Sequence, residues 1–404
     1  MKNRATSKLT IYGLALAYWM FASVSYGNGL PIPCGGKFEN FLSNFLQEAT
    51  IIGISKNTIK VVSELIEQDK KVLFYDRSQK SFKMSFLEFS ERAVNDYRLK
   101  TGKKKIQAFQ EIFLEMETIH GIPAEIVTSF WAMETDYGAV QGDFNTLNSL
   151  ATLAHDCRRS KMFQLEFLAA LKLIGEDRID FNTKGAWAGE IGQVQMLPRD
   201  ILRFGKDGNS DGKIDLRVSP EDAIATAFEL IAHLGWRPNE PWLDEVILKK
   251  NFKFEEAGFG RGRSVRDWAS LGVRNIPVSI LNANTDATLL LPQGHKGPSF
   301  LAYPNYEIFL KWNDSFIYTV AAAYLAKRLQ GSKSFTHTQP EKILNQNDMI
   351  ILQERLFKLG EDVGKLDGIL GAKTRQAVRK WQIKLGFIGD SWPTRQFLQV
   401  LKAY

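Results

Sequence analysis

The stretch GIPAEIVTSFWAMETDYG, Gly121 to Gly138, places an acid where water is expected to be scarce. At helical spacing Val127, Phe130, Trp131 and Glu134 share one face, while Glu125, Thr128, Ser129 and Asp136 share the other. Glu134 therefore belongs to the apolar stripe. A carboxyl held against aromatic rings resists ionisation, and a Glu that stays protonated near neutral pH suits proton donation to a leaving oxygen, as glycosidic cleavage requires. The pattern also accommodates a core Glu neutralised by an Arg or a backbone amide, because buried acids are normally paired.

The surrounding 404 residues are enough for roughly two or three domains. Lys2, Arg4 and Lys8 precede a mostly apolar run from Leu9 to Ala22 and then small and polar residues, which reads as a signal peptide over 1–27. The run is too short for a stable membrane span, which takes about 20 apolar residues. The net charge of +7 is concentrated at the two ends. The first 27 residues carry three Lys or Arg and no acid, and residues 341–404 carry eleven Lys or Arg against seven Asp or Glu. A basic tail on an exported protein points to an anionic wall polymer; export makes nucleic acid the poorer partner. Cys34 and Cys157 are the only cysteines. In an oxidising compartment they read as one disulfide, with two free buried thiols as the alternative. Pro31, Ile32 and Pro33 argue against lipidation of Cys34, whose sites carry small residues just before the Cys.

Outward from the acid, helical periods dominate, with amphipathic stretches at 38–52, 106–120, 124–136, 160–174, 220–234 and 315–329. No regular array of strands is evident; short β elements are expected in 72–85 and 276–291. Gly258, Gly260 and Gly262, with Arg261 and Arg263, read as an exposed loop. GSKSFTHTQP, Gly331 to Pro340, marks a linker, taken as 331–343. The remainder, 344–404, reads as three short helices punctuated by Gly360, Gly386 and Pro393, with a turn on Asp367, Gly368 and Gly371.

Two resemblances follow. LQERLFKLGEDVGKLDGILGAKTRQAVRKWQIKLGF resembles the peptidoglycan-binding module of bacterial wall hydrolases. The body, over most of 38–330, resembles the membrane-bound lytic transglycosylase B family. Its strongest segments are the opening stretch, LNSLATLAHDCRR, GAWAGEIGQVQMLPRDIL, DGNSDGKIDLRVSPEDAIATAFELIAHLGW and KWNDSFIYTVAAAYLAKRL. The resemblance implies a mainly α (α+β) fold, a lysozyme-like catalytic domain over 28–330 followed by a small three-helix peptidoglycan-binding domain. It also implies that Glu134 is the sole catalytic acid. The 6-hydroxyl of N-acetylmuramic acid would then replace an enzymic nucleophile, closing a 1,6-anhydro ring, with Glu134 acting as acid and then base.

By the same resemblance Gln195 and Asn313 line the saccharide groove, and Arg158 and Arg159 lie near it, where they meet either substrate carboxylates or local acids. Gln193 and Tyr318 are weaker candidates, for which ordinary packing serves equally. Trp312 stands where some relatives carry Tyr and is expected to retain a stacking surface. Ala186 replaces a Ser that commonly hydrogen-bonds near the catalytic Glu, so desolvation is expected to outweigh hydrogen bonding in tuning Glu134. Deleting 341–404 is expected to weaken wall binding and spare the chemistry on short glycans.

DGNSDGKID matches the start of a calcium loop, with ligands from Asp207, Asn209, Asp211, the Lys213 carbonyl and Asp215. Val218 stands at the twelfth position, where a bidentate acid normally closes the site, so a structural calcium and an Asp/Gly-rich turn both fit. The five His residues show no zinc spacing. The resulting expectation is a monomeric periplasmic enzyme of a Gram-negative bacterium that needs no cofactor, acts on peptidoglycan glycan strands, and has the wall-synthesis or secretion machinery as further candidate partners. A water-using muramidase and a non-catalytic wall-binding scaffold are the competing readings.

Overall fold

The computed structural model describes residues 30–78, 84–282, 285–335 and 340–404; the signal segment lies outside them. Four apolar cores organise these residues. The first is built by Phe38–Ile51, whose Phe38, Phe41, Leu42, Phe45, Leu46 and Ala49 repeat at helical spacing, packed on the helices Thr146–His155 and Ser160–Gly175. Cys34 and Cys157 are bonded, with Cα atoms 5.3 Å apart across 123 residues of sequence, and so tie the segment before the first helix to this core. Beside it, Gly35 N–H donates to the His155 carbonyl (3.0 Å).

The second core surrounds the acid helix, Ala124–Thr135. Eleven of its twelve residues are buried, Glu125 excepted, so the expected polar face does not reach water. The helix runs between Asp96–Ala108, Gln110–His120, Pro220–His233 and Phe316–Leu329 and is covered on all sides. Ser129 answers burial locally, its hydroxyl donating to the Ile126 carbonyl (2.8 Å). Asp136 ends the helix in the left-handed region (φ 53°) and turns its carboxylate to Arg98 Nε (3.1 Å).

The third core belongs to a five-stranded antiparallel sheet that corrects the expectation of no strand array. Its order is Arg263–Ser264, Asp286–Leu290, Ser299–Ala302, Leu243–Leu248 and Val273–Arg274. Leu289 and Leu301, and Leu243 and Ala302, lie opposite each other in register. Of the two expected β regions, Lys70–Arg77 is helical, capped by Asp69 accepting from Lys71 N–H (2.8 Å), and residues 79–83 lie outside the described set. In the other, Val278–Asn282 is helical and Asp286–Leu290 is a strand. Arg263, read as loop, begins the edge strand.

The fourth core is the tail: Gln346–Lys358, Ala372–Lys384 and Arg395–Ala403, closed around Leu352, Leu356, Val378, Trp381, Phe397 and Leu401. Gln353 fixes the turn between the first two helices. Its amide donates to the Ile369 carbonyl (2.9 Å) and accepts from Gly368 N–H (2.8 Å), where φ of 80° favours glycine.

Candidate active site

Glu134 lies one residue from the end of the acid helix, 6% exposed. Among the described residues its hydrogen bonds come from one distant segment. Trp312 Nε1–H and Tyr318 O–H donate to the same oxygen, Oε1, at 2.9 and 2.5 Å. The second oxygen, Oε2, is buried with no hydrogen-bond partner among the described residues. Two donated hydrogen bonds favour the carboxylate, yet burial wins and carries the pKa from 4.5 to about 7. One oxygen is thus held and the other is left without a partner. The expected dominance of desolvation over hydrogen bonding describes this balance, although Tyr318 and Trp312 supply donors where Ala186 offers none.

Trp312 does not offer a stacking surface to a ligand. Its ring lies flat on Phe130 (centroids 4.1 Å apart, planes at 18°) and is 5% exposed, so its work is to hold Glu134. Tyr318, ranked low from sequence, makes the shortest contact to the acid. Asn313 ends the helix Tyr306–Trp312, and its side-chain oxygen accepts from Ser315 N–H (2.8 Å). That turn leads into the helix Phe316–Leu329, so Asn313 shapes the segment that brings both donors to Glu134.

Gln193 is packing. Its Oε1 accepts from Trp131 Nε1–H (3.1 Å), and its carbonyl accepts from the Thr135 hydroxyl (2.5 Å). A Cβ at Gly138 would come within 2.5 Å of Gln193 Oε1, and φ there is 87°, so only glycine lets the chain turn this closely. Gln195 is half-buried and sits in the left-handed region (φ 54°), its side chain donating to the Gly192 carbonyl (2.9 Å). Backbone of this kind costs on the order of 1 kcal/mol and collects at functional sites. Arg158 and Arg159 both take the local-acid alternative. They converge on the buried Asp76 Oδ1, Arg158 at 2.6 Å.

Sequence reasoning missed Glu190. It is 3% exposed, both carboxyl oxygens lack partners among the described residues, and burial lifts its pKa to about 7, with the Glu134 charge pushing the same way. The available signal was a lone acid in the apolar, glycine-rich run GAWAGEIG.

In the acidic loop the candidate ligands bond their own backbone. Asp207 accepts from Asp211 and Gly212 N–H (3.2 and 2.8 Å), Asp211 from Lys213 N–H (2.9 Å), and Asp215 from Arg217 and Val218 N–H (2.9 and 3.0 Å). Asp222, in the next helix, accepts from Gly208 and Asp215 N–H (2.9 and 2.7 Å), joining both ends of the loop. Val218 is 78% exposed and offers no carboxylate to close a coordination sphere. The donor set is open.

Residues 37–327 match the transglycosylase SLT domain model, and residues 345–401 match a putative peptidoglycan binding domain. The chain is similar to membrane-bound lytic murein transglycosylase B of Escherichia coli K12, 25% identical over 248 residues, which is 60% of this chain and 67% of that protein. SltB3 of Pseudomonas aeruginosa, solved in complex with NAG-anhNAM-pentapeptide, superposes with a TM-score of 0.84 at 32% identity, covering 91% of this chain and 100% of that one. Escherichia coli Slt35, solved with calcium, shares the fold at 22% identity and a TM-score of 0.63, covering 74% and 95%. The chain belongs to the transglycosylase SLT domain family and is a lytic transglycosylase.

Proposed function

We propose that the chain cuts peptidoglycan strands between N-acetylmuramic acid and N-acetylglucosamine and leaves 1,6-anhydromuramoyl ends. The observation that carries this reading is the asymmetry of Glu134: Oε1 fixed by two donors, Oε2 buried and unpartnered, and a pKa of about 7. Protonated Oε2 transfers its hydrogen to the bridging oxygen as the anomeric bond breaks. The resulting carboxylate then accepts the proton of the 6-hydroxyl as that oxygen attacks the anomeric carbon. No water enters the products, so each cut end is one water lighter than a hydrolytic end. The complex of SltB3 with NAG-anhNAM-pentapeptide contains an anhydro sugar of this kind. Mass spectrometry of digested sacculi tests the reading; reducing muramoyl ends would replace it with hydrolysis. One observation favours that rival, since Glu190 is a second buried carboxyl that a water-activating mechanism would use.

Cleavage should fall as pH rises through about 7, because the acid then loses its proton. Tyr318→Phe removes a hydrogen bond that lowers the pKa of Glu134, so this alkaline limb should move to higher pH while kcat drops about ten- to a hundredfold as the acid loses its positioning contact. A pH–rate profile checks both; an unmoved limb would separate Tyr318 from the acid.

The basic tail, with its own core, supports a wall-binding module at 344–404 after a linker at 331–343. The Cys34–Cys157 bond supports export to an oxidising periplasm. Among the described residues no helix is long and apolar enough to cross a membrane. A monomer acting on glycan strands is the simplest arrangement. For the loop at 207–215 we propose a weak calcium site of about millimolar affinity, since its sequence spaces five candidate oxygens but lacks the closing acid, and among the described residues no group of three or more acids is gathered for a metal. Calorimetric titration should show this weak binding and its loss in Asp207→Ala; a submicromolar site would contradict the open donor set.

A further inference from the structure

The tail does not hang free of the body. Arg375, on its second helix, is 5% exposed and reaches across the seam, donating to the Pro292 and Leu291 carbonyls at 2.7 and 3.4 Å. Its guanidinium lies over the Phe316 ring (4.7 Å to the centroid) and beside that of Trp392 (5.7 Å). Nearby, Asp390 of the tail pairs with the His295 ring (2.6 Å) and accepts from His295 N–H (3.0 Å). Burial lowers the pKa of Arg375 to about 10, which leaves it charged at neutral pH. A buried guanidinium is costly and is kept where carbonyls, aromatic faces and a nearby acid compensate it.

The place it grips is informative. Phe316 lies between Trp312 and Tyr318, the two residues that donate to Glu134, and it opens the helix that carries Tyr318. We propose that Arg375 is a positioning residue for the reaction: by clamping Phe316 it fixes the 312–318 segment, so the C-terminal module forms part of the scaffold of the catalytic acid as well as an attachment to the wall. The inference rests on the role of Glu134 stated above. It replaces the expectation that the tail affects attachment alone.

The experiment uses the full chain and short soluble glycan fragments, for which attachment to sacculi does not limit turnover. Arg375→Ala should lower kcat about ten- to a hundredfold with KM changed less than about twofold, because misplacing catalytic donors by an ångström has effects of this size. Its alkaline limb should move up, as Tyr318 no longer holds the carboxylate, and Arg375→Lys should recover part of kcat by restoring charge and a carbonyl bond without the planar stack. If folded Arg375→Ala keeps wild-type kcat and pH profile on short glycans, the proposal is wrong. Should that variant not fold, Phe316→Leu, which leaves the carbonyl bonds of Arg375 in place, is read by the same criteria. A Glu134→Gln variant run alongside separates the two ideas. Activity surviving there removes the acid; activity lost there but kept in both seam variants removes only the clamp.

Discussion

Glu134→Gln should leave a folded protein that still holds glycan and no longer cuts it. The amide keeps the size of the side chain and an oxygen to accept from Trp312 and Tyr318, so the stack of Trp312 on Phe130 is retained. It cannot deliver a proton from the second position, nor take one back from the attacking hydroxyl. General acid–base assistance contributes about 10²- to 10⁴-fold, and one group serves both steps here, so kcat on sacculi should fall by at least about 10³-fold. Binding should be nearly unchanged in a sedimentation assay. Stability should change by less than about 1 kcal/mol at pH 6, where the native carboxyl is already neutral. Cleavage at the wild-type rate would remove Glu134 from the mechanism.

The largest stability effect should come from the disulfide. A bond across 123 residues removes much of the freedom of the unfolded chain; the chain-entropy relation gives about 5 kcal/mol, and measured losses run to about 2–5 kcal/mol. Replacing Cys34 and Cys157 together by Ser should therefore lower the melting temperature by roughly 3–8 °C for a body of this size. Calorimetry of the oxidised wild type, the reduced wild type and the double variant checks it. The last two should melt together, well below the first. Coincidence of all three would show that Phe38–Ile51 is held by its apolar contacts alone.

The acid helix was legible because aromatic residues and Glu134 recur on one stripe. Its complete burial was not, since Thr128 and Ser129 read as exposed; Ser129 is satisfied by a carbonyl of its own helix, so polarity there carried no information about water. The sheet was hidden for another reason. Its strands are two to six residues long and pair across distances that no local pattern records. Distance also hid the site's geometry, because Trp312 and Tyr318 lie 178 and 184 residues from the carboxyl they hold. Chemistry shows in a residue's type and immediate neighbours; orientation comes from elements folded in from elsewhere. Arg158 and Arg159 illustrate the same limit, their shared acid Asp76 lying more than eighty residues away.

Glu134 and Glu190 also make this protein a proton acceptor in folding. Both carboxyls titrate near pH 7 in the native state, against an ordinary value of 4.5, so between those values the folded chain retains hydrogen ions that the unfolded chain has released. The sign is fixed: native binding exceeds unfolded binding, and stability falls as pH rises through that window, at up to about 1.4 kcal/mol per unit for each acid. A rise of pH through about 7 therefore loosens the molecule as it silences it, because the hydrogen that begins the reaction is one the folded state has already drawn from solvent.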